Sequence, residues 1–305
     1  MENFKKKINY KSILLIFLSI TLFSLIYINK ESLVCSYAGD RILDKLLGFN
    51  NDCYERKIKG VIFPSQKFYG SRYNIIKNKK EINCPKNTSI IIISGQSNSA
   101  NFLKGNKKYQ NNHINYFNGN CYKLEDPVLG AEGEMSSLAP AIASKLDFKK
   151  PVIFLTAGRG GIHIDSASSM DGEFISYHKK SLDYLLKFNN KLKFFIWIHG
   201  EANNGDTLNY KSKFILMYEN ILRGLNKKDK INLIITKTSV CKNERDVILN
   251  KIQKEISYKY NEFTELIETD DLNEEFRYDN CHFNFKGIDV ISDRISLLIN
   301  NLNYE

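Results

Sequence analysis

Residues Ile90–Asn101 read IIIISGQSNSAN. Four consecutive isoleucines make a continuous β-branched run, the pattern of a strand covered on both faces of a parallel sheet. Glycine ends the run, and Gln96, Ser97 and Asn98 follow at the strand's carboxyl end. In an open α/β sheet, ligands bind at that edge. A serine there presents its hydroxyl at the mouth of a site, so Ser97 is a candidate nucleophile. Taken alone, the segment reads more simply as a strand-to-helix turn with Ser97 or Asn98 as N-cap.

The chain around it supports the larger reading. From Ser89 onward, short apolar runs alternate with longer amphipathic stretches, which signals βαβ units. The strand candidates are Ile90–Ser94, Val152–Ala157, Phe194–His199, Ile231–Thr236 and Phe263–Glu268. Helix candidates lie at Ser136–Leu146, Tyr177–Phe188, Leu208–Leu225, Arg245–Tyr260 and Lys286–Leu302. Phe214, Met217, Tyr218, Ile221, Leu222 and Leu225 recur at three- and four-residue spacing, an apolar face suited to core packing. The expected fold is a three-layer α/β/α sandwich with a roughly five-stranded parallel sheet, filling residues 89–305. Asn106–Gly133 and Gly158–Gly172 read as long irregular loops with a binding role.

Residues 1–29 read differently. Ser12–Ile28 holds no charge and follows Lys5, Lys6, Lys7 and Lys11. No Ala-x-Ala-like cleavage pattern follows it, so an uncleaved signal anchor is expected, with the rest of the chain outside the inner membrane. Residues 30–88 read as a linker and extension. The net charge of +10 is spread over lysine runs with no compact basic stripe, which argues against nucleic acid as a partner. Anionic glycans or lipid headgroups fit such a surface better. Six cysteines, all beyond the anchor, are compatible with disulfides in an oxidising compartment, and no C-x-x-C pair suggests zinc.

Serine catalysis needs a base and a group that orients it. His282 lies in Asp279-Asn280-Cys281-His282, after the last strand and before the last helix. There a carboxylate three residues away could hold the imidazole at the sheet edge that carries Ser97. His199 ends another strand, in Trp197-Ile198-His199-Gly200-Glu201-Ala202-Asn203. An oxyanion needs pre-aimed donors, which a side chain at 199 and N–H groups near Ser97 and Gly158-Arg159-Gly160-Gly161 could supply. His113, His163 and His178 read as surface or locally bonded histidines.

The motifs GQSN (Gly95–Asn98), W-x-x-G-E-x-N (Trp197–Asn203) and D-x-x-H (Asp279–His282) together resemble the SGNH hydrolase superfamily. The nearest branch is that of the sialic-acid O-acetylesterase-like carbohydrate esterases. Asp126-Pro127 and the glycine loop at Gly158–Ile162 agree with it. The resemblance spans Ser89 to Leu302. It implies Ser97 as nucleophile, His282 as general base and acid, and Asp279 as its orienting partner. The implied oxyanion hole consists of the Ser97 N–H, the Gly158 N–H or a near neighbour, and the side chain at 199. Relatives usually carry glutamine there, so His199 is a departure. Gln96, Arg159 and Asn203 are placed to meet substrate, although Glu201 and Asn203 also suit bracing of the loops. Cys281 is expected to pair with Cys241, since both follow neighbouring strands at one edge. The resemblance implies release of an O-acetyl group from a carbohydrate with no metal or cofactor. Transfer to a glycan hydroxyl, or carbohydrate binding without catalysis, are the alternatives.

Overall fold

The computed structural model describes residues 79–303, apart from 171, 226–229, 242–244, 261–263 and 270. The expected anchor, the extension up to residue 78, and Cys35 and Cys53 lie outside the described residues. Among the described residues, no helix is long and apolar enough to cross a membrane.

The isoleucine run forms β2 (Ser89–Gly95), with each of the four side chains fully buried. The other expected strands are present as β5 (Ile153–Gly158), β6 (Lys191–Ile198), β7 (Asn232–Thr236) and β8 (Thr264–Ile267). Each pairs in parallel with its neighbour, in the order β5-β2-β6-β7-β8. The sheet is wider than expected. β1 (Glu81–Ile82), β3 (Ile114–Phe117) and β4 (Asn120–Lys123) extend it beyond β5 to eight strands, in the order β1-β4-β3-β5 on that side.

The stretch Asn106–Gly133 is therefore not wholly irregular. β3 and β4 form a hairpin closed by Asn118 and Gly119, at φ 49° and 89°. Positive φ at both central residues is the two-residue turn that Asn-Gly favours, because its twist matches that of the strands. The strands escape a periodicity reading because each has four residues and mixes Asn, Tyr and Lys with the apolar positions. The Asn-Gly pair was the available signal. A disulfide between Cys84 and Cys121 joins the segment after β1 to β4.

Side chains alternate across a strand, so β2 feeds two cores. Ile90 and Ile92 pack with Phe195 and Trp197 and with helices α3 (Glu173–Leu186), α4 (Tyr210–Ile221) and α5 (Val247–Lys259). Ile91 and Ile93 pack with Phe194 and Ile196 and with α1 (Leu138–Ala143) and α6 (Phe285–Asn303). The result is the expected three-layer α/β/α arrangement. The apolar stripe of α4 is core, with Phe214, Met217, Tyr218 and Ile221 buried. A short helix, α2 (Ile164–Ala167), lies inside the second stretch expected to be irregular.

This topology positions the site. After β2 the chain places β3, β4 and β5 on one side of it, then crosses to β6 on the other. The carboxyl end of β2 is thus the switch point of the sheet, where a crevice opens in doubly wound folds.

Candidate active site

Ser97 opens a 3-10 turn (Ser97–Ser99) directly after β2 and is 7 % exposed. Close packing holds the turn. A Cβ on Gly158 would lie 2.5 Å from Ser99 Oγ and 2.7 Å from the Ala100 nitrogen. Only glycine lets β5 approach that closely.

Near the Ser97 turn, on the loop before α6, Asp279 and His282 form a pair. His282 Nδ1 lies 2.6 Å from Asp279 Oδ2, while Asp279 Oδ1 accepts the backbone N–H groups of His282 at 2.7 Å and Cys281 at 3.2 Å. Burial pushes the Asp279 carboxyl up, but the bonds from the His282 ring and backbone outweigh it and hold the group below its ordinary value. The carboxylate fixes Nδ1 as the proton-bearing nitrogen, leaving Nε2 as the basic atom. Aromatic rings flank the imidazole: Tyr278 at 5.9 Å and Phe102 at 6.0 Å between centroids. The Tyr278 hydroxyl donates to the Phe102 carbonyl at 2.9 Å, which ties the two walls together. Neither aromatic was singled out by sequence, although Tyr278 adjoins the D-x-x-H motif. Cys241 and Cys281 are disulfide-bonded, as expected, which ties the histidine loop to the loop after β7.

His199 does not take the expected place. It is 1 % exposed and stacks on Trp197 at 4.9 Å between centroids. Its Nε2–H donates to the Ile162 carbonyl at 2.9 Å, and Nδ1 lies 3.1 Å from the Tyr210 hydroxyl. Both ring nitrogens are spent inside the protein, so the ring braces the glycine loop and offers no donor to an oxyanion. Other glycine-loop donors are also committed: the Arg159 N–H bonds the Gly95 carbonyl at 3.0 Å and the Gly160 N–H bonds Glu132 Oε2 at 2.6 Å.

The three residues expected to meet substrate are likewise turned inward. Gln96 is 2 % exposed; its Nε2 donates to Glu201 Oε2 at 2.5 Å and its Oε1 accepts from the Ala202 N–H at 2.9 Å. Asn203 accepts from the Ile164 N–H at 3.0 Å and donates to the Asp206 carbonyl at 3.1 Å. Arg159 is buried against Phe174, with Glu173 at 3.7 Å. A guanidinium needs such a carboxylate when buried, which explains why the side chain turns inward. Glu201 braces the loops, as expected. His163, Asp165 and Asp206 place one ligand atom each within 4.8 Å of one another, and Lys213 sits 3.4 Å from Asp165.

His178, read as a surface or locally bonded histidine, is buried and locally bonded. Its Nδ1–H donates to the Phe174 carbonyl at 2.7 Å, and Nε2 lies 3.0 Å from Ser94 Oγ. Burial pushes His178 down to about 4 and His199 down to about 3. Both fold as neutral rings, whereas the unfolded chain takes up their protons near pH 6.5. Their contribution to stability is therefore complete above pH 6.5 and declines as pH falls. At pH 4.5 it has lost about 2.5 kcal/mol for each ring. Burial raises Asp126 to about 6, which acts the opposite way and returns about 2 kcal/mol on acidification. Urea unfolding should show a net loss of about 3 kcal/mol between pH 7 and pH 4.5. An unchanged midpoint would show that the rings are not held neutral.

No protein-family profile matches the chain, and no curated protein matches it in sequence. Among solved structures it is similar to a protein from Arabidopsis thaliana, at TM-score 0.55 and 13 % identity over 70 % of this chain and 98 % of that one. It is similar to NanS at TM-score 0.50 and 14 % identity, over 72 % of this chain and 99 % of that one. A carbohydrate acetylesterase from Xanthomonas citri aligns at TM-score 0.46 and 17 % identity, over 72 % of this chain and 56 % of its own length. The first two alignments show that the chain shares their fold, in agreement with the SGNH-type architecture that its motifs imply.

Proposed function

We propose that the chain is a serine esterase that removes O-acetyl groups from a carbohydrate through Ser97, His282 and Asp279. The observation that carries this reading is the Asp279–His282 pair, hydrogen-bonded at 2.6 Å at the same sheet edge as the Ser97 turn. In this reading, Ser97 Oγ attacks the ester carbonyl while His282 Nε2 takes its proton. Asp279 stabilises the imidazolium that forms. His282 returns the proton to the leaving sugar oxygen, and water then repeats the sequence on the acetyl-enzyme. In this reading the Ser97 and Gly158 N–H groups supply the oxyanion donors, and His199 supplies none. The carbohydrate substrate is supported by the motif resemblance.

Steady-state turnover of an acetylated chromogenic ester by the purified protein tests the chemistry, and release of acetate from acetylated sialic acids, xylans and peptidoglycan fragments tests the substrate. Turnover that survives unchanged in Ser97→Ala would refute the role of Ser97. Residues 12–28 would tether this activity outside the inner membrane, a reading supported by two disulfides among the described residues. Protease shaving of spheroplasts tests it, since a domain protected from the protease would lie inside.

A further inference from the structure

Ser97 and His282 come from loops 185 residues apart, so something must hold base and nucleophile in register. We propose that Asn98 is that positioning residue, and that Glu201 holds Asn98 in place. The inference rests on the triad reading above.

Asn98 is fully buried. Its Oδ1 accepts the Phe283 N–H at 3.4 Å, and its Nδ2 reaches the Cys281 carbonyl at 3.5 Å. One side-chain amide thus brackets the backbone on both sides of His282, while its own backbone follows Ser97. The second Nδ2 hydrogen goes to Glu201 Oε1 at 3.3 Å, so its two donors and its acceptor are all in use. Glu201 spreads the restraint further. Its Oε2 accepts from Gln96 at 2.5 Å, and its Oε1 accepts from the Ser239 hydroxyl at 2.5 Å and the Ser239 N–H at 3.3 Å. Ser239 lies two residues before Cys241, whose disulfide returns to Cys281. Arg277 donates through Nη1 to the same Cys281 carbonyl, within the electrostatic reach of Glu201.

One carboxylate therefore connects the residues flanking the nucleophile with those flanking the base. The contacts that Asn98 makes to the histidine loop are at the long end of hydrogen bonding, so a small shift of this side chain breaks both. A misplacement on the order of 1 Å at a catalytic group costs about 100-fold in rate. Asp at this position would lose both donor bonds and place a second carboxylate against Glu201.

The test compares the full-length wild type with Asn98→Ala, Ser239→Ala and Ser97→Ala, using an acetylated chromogenic ester. Three readouts are followed: kcat and KM separately, the rate at which a fluorophosphonate labels Ser97, and the downfield proton NMR signal of the His282 Nδ1–H. For Asn98→Ala, kcat and the labelling rate are expected to fall together by about 10- to 100-fold. KM should stay nearly constant, and the downfield signal should broaden. Ser239→Ala, which loosens Glu201 without touching Asn98, should move all three in the same direction by a smaller factor. Wild-type kcat and an intact downfield signal in Asn98→Ala would overturn the proposal while leaving the triad standing. If Asn98→Ala does not fold, wild-type kinetics in Ser239→Ala overturn it equally. Turnover that is the same in Ser97→Ala as in wild type would instead strike the triad reading itself.

Discussion

Replacing Asp279 by asparagine is expected to lower kcat by about four orders of magnitude while leaving the fold intact. The carboxylate does two jobs. Its Oδ1 accepts two backbone N–H groups, from Cys281 and His282, and its Oδ2 accepts from the imidazole. An asparagine keeps the first job with its carbonyl oxygen, so the turn survives. Its NH₂ group then faces His282 Nδ1 and can only donate. The ring must switch tautomer and place its proton on Nε2, the atom that has to accept one from Ser97. Comparing kcat with the thermal midpoint of Asp279→Asn checks this. A loss of less than tenfold in a folded variant would mean that Asp279 does not orient the base.

The second large effect concerns Gly95, the residue that turns β2 into the serine loop. Its φ is +136°, and an added Cβ would stand 2.0 Å from the Ile198 carbonyl oxygen. That oxygen accepts the Gln96 N–H at 2.9 Å, so the clash falls on the bond that closes the turn against β6. Overpacking costs about 1–3 kcal/mol, and an L-residue at positive φ about 1–2 kcal/mol more. Gly95→Ala should therefore lower Tm by roughly 4–20 °C. Gly119 supplies the contrast. It too has positive φ, at +89°, but nothing lies within 4 Å of its Cβ direction. Gly119→Ala should lose only the conformational part, or about 2–8 °C. Equal shifts in the two variants would show that close approach to Ile198 is not what requires glycine at 95.

The contrast between what the sequence reveals and what it hides is physical. Strands β2, β5, β6 and β7 were legible because burial on both faces demands apolar runs, as in Ile90–Ile93. The hairpin at Ile114–Lys123 was not, since its short strands mix in polar residues, Asn120 at an exposed end and Asn115 buried and bonded to the Leu129 backbone. At the site, the D-x-x-H spacing revealed its pair because both groups lie on one short turn. His199 misled because motif position says where a backbone runs and not where a ring points. Burial beside Tyr210 and Ile162, 11 and 37 residues away, decided that. Arg159 and Gln96 were misread for the same reason. Each is recruited by a distant carboxylate, Glu173 and Glu201 respectively.

The disulfide at the sheet edge has a mechanical consequence. Only Pro85–Thr88 separate Cys84 from the first residue of β2, the strand that leads to Ser97. A pull arriving along the chain from before Lys79 would first unzip β1, which holds β4 through two residue pairs. Without a crosslink, tension would then pass straight into β2. The Cys84–Cys121 bond diverts it into β4 and, through four residue pairs, into β3. The outer hairpin takes the load, and the nucleophile's strand stays slack.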